Sequence, residues 1–245
     1  MRGPAVHRFQ EMAEMVLGEN FLEEDDGVFG EKTLLLAKRV QEKLGIEQDG
    51  VVGNGTWSKI FEYLGMNKSG ATVSERNGVT IKDIRFAFRD PDIFSTPIGF
   101  NKIREWNAIE GVMLHQTGCM MPEQESVWAK VRCHCGITRE GVIILVQPFE
   151  WGICHGHGLS MTTRGIEIAG NFQGIPGIWW KPGGGPHQFT PKQEAACNVL
   201  FDIIKEEFDK NGQPWTRVYA HRQSSDQREG DPGYEIWQKV GMKWC

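Results

Sequence analysis

Apolar residues recur at helical spacing from the start of the chain: Val6, Phe9, Met12, Ala13, Val16 and Leu17 share one face of a first helix. Leu36, Ala37, Val40 and Leu44 repeat that period between Thr33 and Leu44, with Gly45 as the stop, and Trp57, Ile60, Phe61 and Leu64 repeat it a third time. The turns between these helices are related. Asp26-Gly27-Val28-Phe29-Gly30-Glu31-Lys32-Thr33 recurs 23 residues later as Asp49-Gly50-Val51-Val52-Gly53-Asn54-Gly55-Thr56. Each copy pairs a glycine able to adopt positive φ with an apolar plug and a threonine near a helix start. The pattern predicts a compact three-helix domain over residues 1–66. Residues 67–78 are polar, glycine-containing and without period, which predicts a linker.

Beyond the linker the period changes. Gly111 to His115 is an apolar run that predicts a buried strand ending on an imidazole. Ile81 to Phe88 fits a strand or a short helix, and Val127 to Val131 fits the end of a helix. Cys133–Thr138 and Val142–Val146 flank Arg139-Glu140-Gly141 and predict a hairpin. Gly165 to Ala169 alternates so that Glu167 faces away from Ile166 and Ile168, into a cleft. Thr190-Pro191-Lys192-Gln193 reads as a capping box that opens a helix to about Phe208, burying Ala196, Val199, Leu200 and Ile203. Arg217 to Ala220 is a strand that ends at His221. The fold class expected is therefore α/β: a mixed central sheet flanked by helices over residues 79–245, preceded by the small helical domain.

Composition narrows the function. Residues 1–66 carry 7 Lys+Arg against 12 Asp+Glu, which leaves 20 against 20 for the rest, so neither part has the basic surplus that nucleic acid demands. Met1 to Arg8 has no continuous apolar stretch and no later window resembles a membrane span, so neither a signal peptide nor a membrane partner is expected. Six cysteines in a chain of 245 residues without a visible secretion signal are expected to be reduced thiols; export by another route would favour disulfides.

The chemistry begins at His221 and Asp231, ten residues apart on a segment stiffened by Pro232. An imidazole and a carboxylate are two ligands of a metal site. A catalytic zinc takes three protein ligands and keeps one position for water, so a third donor is needed, and His115 at its strand tip is the best candidate.

With these three residues the chain resembles a family. His115-Gln116-Thr117, Gly165-Ile166-Glu167-Ile168-Ala169-Gly170, and His221 followed by Asp231-Pro232-Gly233 are similar to the zinc-dependent N-acetylmuramoyl-L-alanine amidases and the related peptidoglycan recognition proteins. The doubled Asp-Gly-Val-x-Gly-x-x-Thr, with Gln41 and Trp57, resembles the peptidoglycan-binding domain that accompanies many wall hydrolases. The resemblance implies Zn2+ on His115, His221 and Asp231, with Glu167 as general base for a zinc-activated water. It implies cleavage between the lactyl group of N-acetylmuramic acid and L-alanine.

Two positions depart from the family pattern. Glu229 stands where many members carry a lysine that stabilises the oxyanion, which leaves Arg228, Arg222 or the metal alone for that task. Cys133 stands where some phage members have a tyrosine. His134 and His155 match positions usually occupied by histidine, and His155 is expected either to line the cleft as a substrate or oxyanion donor or to be structural. Cys133-His134-Cys135 with Cys154-His155-Gly156-His157 offers an alternative structural metal site, although C-x-C is not the usual zinc loop. Trp151, Trp179 and Trp180 would wall a sugar-peptide groove or belong to the core. The expectation is a monomeric, endolysin-like wall hydrolase made in the cytoplasm and acting on peptidoglycan. The rival is a non-catalytic peptidoglycan-recognition protein, for which Glu229 is the main argument.

Overall fold

In the computed structural model of the chain, residues 3–19, 21–22, 26–64, 71–85, 99–174, 185–214, 217–228 and 230–245 are described. They fall into two compact units, residues 3–72 and residues 73–245.

The first unit holds α1 (Pro4–Leu17), α2 (Glu31–Lys43) and α3 (Asn54–Tyr63). Phe9, Met12, Ala13, Val16, Leu36, Ala37, Val40, Trp57, Ile60 and Phe61 form its core, so the helical period of the sequence is the packing face. The duplicated turns are duplicated in their bonding. Gln10 Nε2 donates to Asp26 Oδ1 (3.1 Å) and Thr33 Oγ1 (3.0 Å), while Gln10 Oε1 accepts from Gly27 N (2.8 Å). Gln41 makes the same set with Asp49 Oδ1 (2.7 Å), Thr56 Oγ1 (3.4 Å) and Gly50 N (2.8 Å). Gly27 and Gly50 take φ of 66° and 73°, the left-handed region their turns require. The threonines lie near the helix starts as expected, at the third position of each helix. The N-caps are Gly30 and Gly53 without side-chain bonds, and Thr33 and Thr56 instead donate back to Val28 O and Val51 O.

The second unit contains a seven-stranded mixed sheet in the order β1-β2-β6-β5-β8-β4-β9 and a separate pair, β3 (Gly99–Ile103) with β7 (Trp151–Ile153). β1 (Thr72–Arg76) and β2 (Val79–Asp83) flank Asn77-Gly78, whose φ values of 52° and 74° are those of a two-residue hairpin turn. This corrects the expected linker: its described residues from Thr72 on are an edge hairpin, whose polar side chains suit an edge. β5 (Cys135–Ile137) and β6 (Ile143–Leu145) are the antiparallel hairpin expected, turning at Gly141. β8 (Thr163–Ile168) runs parallel to both β5 and β4 (Gly111–Gln116), and β9 (Arg217–Ala220) runs parallel to β4.

Strand alternation gives the sheet two unlike faces. Val112, Leu114, Cys135, Ile137, Ile166, Ile168 and Val218 join one hydrophobic cluster with Ala196, Cys197, Leu200, Phe201, Ile204 and Phe208 of the long helix Pro191–Lys210. That helix opens on the expected capping box: Thr190 Oγ1 accepts from Gln193 N at 3.1 Å, and Gln193 Oε1 accepts from Thr190 N at 3.3 Å. Ile203, expected in the core, is only partly buried; Ile204 takes that place. The helix over Val127–Val131 is a single turn, Glu125–Trp128, and residues 234–244 add a C-terminal helical segment with no counterpart in the sequence reading. Arg164 lies on the same face as Ile166, fully buried, its guanidinium 4.5 Å from the Trp106 ring, 5.1 Å from Phe149 and 4.2 Å from Phe208. All six cysteines are free thiols, and no helix among the described residues is long and apolar enough to cross a membrane.

Candidate metal centre

The opposite face of the sheet carries the titratable groups. His115, at the penultimate position of β4, is in register with Glu167 of β8, so both side chains rise from the same face of neighbouring strands. β9 ends at Ala220, paired with Leu114, and His221 follows immediately. The sheet thus delivers both imidazoles from strand ends, where backbone pairing holds them. Asp231 arrives from the loop beyond. Its Oδ1 accepts from Gln116 N at 2.8 Å, and the Arg222 amide donates to Asp231 O at 2.8 Å.

His115, His221 and Asp231 converge as a group able to hold a metal ion. His115 Nδ1 lies 2.8 Å from His221 Nδ1 and 3.8 Å from Asp231 Oδ2, and His221 Nδ1 lies 2.7 Å from Asp231 Oδ2. Two imidazole nitrogens and one carboxylate oxygen are a donor set that suits zinc, and their separations bracket the roughly 3.4 Å expected between ligands on arms of about 2.1 Å. One further observation supports the fit: Glu167 Oε2, on the same sheet face, is buried without a hydrogen-bond partner among the described residues. Burial pushes the Asp231 carboxyl upward, but the His115 and His221 imidazoles beside it prevail and leave it at about 2. Burial also depresses the His115 imidazole, against the pull of Asp231, so the cluster favours neutral nitrogen donors.

Glu167 has an unusual setting for an acid. Burial pushes its carboxyl up to about 8; the Asp231 charge adds to the rise and Arg228 opposes it. On the far side of Glu167, Gly136 of β5 is its register partner, and a Cβ there would meet Trp128 Cε3 at 2.2 Å. The absent side chain makes room for the Trp128 indole, which walls the site beside the acid.

The remaining sequence candidates are distributed as follows. His155 does not present a free ring to a substrate: Nδ1 pairs with His115 Nε2 at 3.0 Å and Nε2 with Thr163 O at 3.2 Å. Of the two alternatives for His155, this pairing accords with the structural one. His134 is fully buried; its Nδ1 accepts from Gly165 N at 2.9 Å, so Nε2 carries the proton and donates to Trp151 O at 2.8 Å. It is a strut between β8 and β7. Cys133 and Cys135 are buried free thiols, and the alternative Cys/His metal site does not assemble among the described residues. Arg228 is exposed and its charge is felt at both His115 and Glu167, whereas Arg222 donates to Pro232 O at 2.7 Å and lies 5.7 Å from the Trp237 ring. Trp151 is half-buried in β7. Glu229, Trp179 and Trp180 lie outside the described residues. The sequence placed His157 only in the alternative Cys/His cluster; it is exposed, takes φ of 45° and has its ring centroid 5.6 Å from that of His221. A histidine in left-handed backbone carries no signal in the sequence.

Residues 105–234, which include every described residue of this cluster, match the family model described as N-acetylmuramoyl-L-alanine amidase. The chain belongs to the N-acetylmuramoyl-L-alanine amidase family. Solved structures similar to this amidase-family chain include the endolysin amidase LysCS from Clostridium intestinale URNW, at 15% identity over 58% of this chain and 87% of that one, TM-score 0.43. The Ph2119 endolysin from the Thermus scotoductus MAT2119 bacteriophage Ph2119 is similar at 14% identity over 66% and 99% of the two chains, TM-score 0.44. Apis mellifera PGRP-SA is similar at 16% identity over 60% and 90%, TM-score 0.45. No curated protein matches the chain.

Proposed function

We propose that the second unit is a zinc-dependent hydrolase that cuts the amide between the lactyl group of N-acetylmuramic acid and L-alanine in peptidoglycan. The observation that carries this reading is the convergence of His115 Nδ1, His221 Nδ1 and Asp231 Oδ2 on the sheet face that also bears Glu167, in register beside His115. Zinc held by those three atoms supplies Lewis acidity, which makes water more acidic and the scissile carbonyl more electrophilic.

The rest falls to this chain's own side chains. Glu167 Oε2, without a partner among the described residues, takes the proton of the attacking water and returns it to the departing nitrogen. Cys133, buried in the slot where some members have a tyrosine, takes no part. Arg228 is the cation available to the developing oxyanion, because Arg222 is already bonded to Pro232 O. Glu229 stands where many members carry a lysine, and an acid in place of that cation works against turnover. The first unit binds the same polymer and raises the local concentration of cleavable bonds on an insoluble substrate. The wall is where the protein acts, in the manner of an endolysin.

Incubating purified walls with the protein, with and without a chelator, tests the proposal. New alanine amino groups that appear only without chelator support the amidase; binding without any chelator-sensitive release supports the rival reading of a recognition protein, which the acid at Glu229 favours.

A further inference from the structure

We infer that His155 is a positioning residue that fixes His115 in the tautomer whose Nδ1 is free to hold a metal. The inference rests on the reading of His115, His221 and Asp231 as ligands, and it assigns a role to a histidine outside that set.

Protons can be counted along one line of atoms. Thr163 O can only accept, so the contact with His155 Nε2 at 3.2 Å places a proton on that nitrogen. The other nitrogen, Nδ1, faces the His115 ring and no carboxylate is paired with His155 among the described residues, so the ring carries one proton and Nδ1 is an acceptor. The 3.0 Å contact between His155 Nδ1 and His115 Nε2 then requires the proton on His115 Nε2. That leaves a lone pair on His115 Nδ1, the atom aimed at His221 and Asp231. Ligating histidines are commonly oriented by a bond at their other nitrogen; here the orienting group is a second histidine anchored on a backbone carbonyl.

The seat of His155 is shaped for it. A Cβ on Gly165 would lie 2.7 Å from His155 Cγ, and one on Gly156 would lie 2.2 Å from Met113 Sδ and 3.9 Å from His115 Cε1. Both glycines are cut away where the paired rings stack edge to face, with centroids 5.2 Å apart. His221 has no equivalent support, since its Nε2 is buried without a partner among the described residues. The two histidine ligands are therefore unequal: His115 is set before metal arrives, and His221 must move its proton from Nδ1 to Nε2.

The test reads the tautomer directly. In metal-free, full-length protein labelled with 15N at histidine, long-range 1H–15N correlations should show His115 protonated at Nε2. A His115 protonated at Nδ1 would overturn the inference, whether or not the protein binds zinc. Zinc affinity, measured by competition with a chromophoric chelator, should fall about 10–100-fold in His155→Phe, and His155→Gln, which can both accept from His115 and donate to Thr163 O, should recover most of the loss. Unchanged affinity in His155→Phe would also overturn it. Wild-type protein that takes up no zinc would instead sink the ligand reading, and the His115 tautomer would still decide the role of His155.

Discussion

Gln116 N donates to Asp231 Oδ1 across 115 positions of sequence, at 2.8 Å, while Asp231 Oδ2 turns toward the two imidazoles. One carboxylate oxygen is thus fastened to the backbone of β4 and the other serves the site. The strand that delivers His115 also orients the carboxylate that arrives from the loop. This division of labour makes Asp231 more than a charge.

Asp231→Ala should therefore cost more zinc affinity than loss of an orienting partner, that is, more than about 100-fold. Asp231→Asn keeps an oxygen for Gln116 N but gives up the anionic donor, and should fall between the two. Chelator competition measures both, and an Asp231→Ala protein that holds zinc like the wild type would remove Asp231 from the ligand set.

Glu167→Gln should keep metal and wall binding and lose hydrolysis by about 10²–10⁴-fold, the usual contribution of a general base. It should also stabilise the metal-free fold. An acid whose folded pKa is raised to about 8 loses stability as pH climbs above its unfolded value near 4.5, because only the unfolded chain ionises freely. Thermal unfolding at pH 5 and pH 8 should show a decline in wild type that the glutamine variant lacks. Equal declines would place the Glu167 carboxyl in water.

Gln10 and Gln41 each hold an aspartate, a threonine and a glycine amide in the first unit. Replacing either by Ala leaves enclosed polar atoms unpaired and should cost about 1–3 kcal/mol. The two losses should be alike, since the two turns are bonded alike. Chemical denaturation followed by Trp57 fluorescence, in a protein whose other tryptophans are replaced, would read it; one tolerant glutamine would show that the two turns are not equivalent.

Arg164 is buried among Trp106, Phe149 and Phe208, its terminal nitrogens without hydrogen-bond partners among the described residues, and burial, aided by Arg104, pushes its guanidinium down to about 9. Arg164→Met fills the space without the charge and should be neutral or stabilising, up to about 4 kcal/mol. Arg164→Ala should instead destabilise by about 2–5 kcal/mol through the cavity it leaves. Equilibrium denaturation separates them, and a methionine variant as unstable as the alanine one would mean that the cation itself holds the three rings together.

The meeting of His115 and His221 was legible because it is written in local patterns. The apolar runs before His115 and His221 make them strand tips, and β4 and β9 are neighbours. Glu167 was legible from alternation alone. His155 was not: its role depends on the empty space over Gly165, a tertiary fact with no periodic signature. The place of Thr33 and Thr56 near helix starts was legible, whereas their partners, glutamines on preceding helices, were not. The β1–β2 hairpin had a signal, Asn77-Gly78, that the exposed polar strand before it obscured. β3 and β7 are too short and irregularly paired to leave one.

β8 gives Arg164, Ile166 and Ile168 to the oily underside of the sheet and Glu167 to the site, with six consecutive residues locked in step with β4. An insertion or deletion of one residue in this strand would invert that assignment, sending an aliphatic chain toward the imidazoles and a carboxylate into the helix-packed layer. A change of two residues would preserve phase. Length variation in β8 is thus constrained by parity, and natural or engineered relatives that lengthen this strand while keeping activity should do so in even steps.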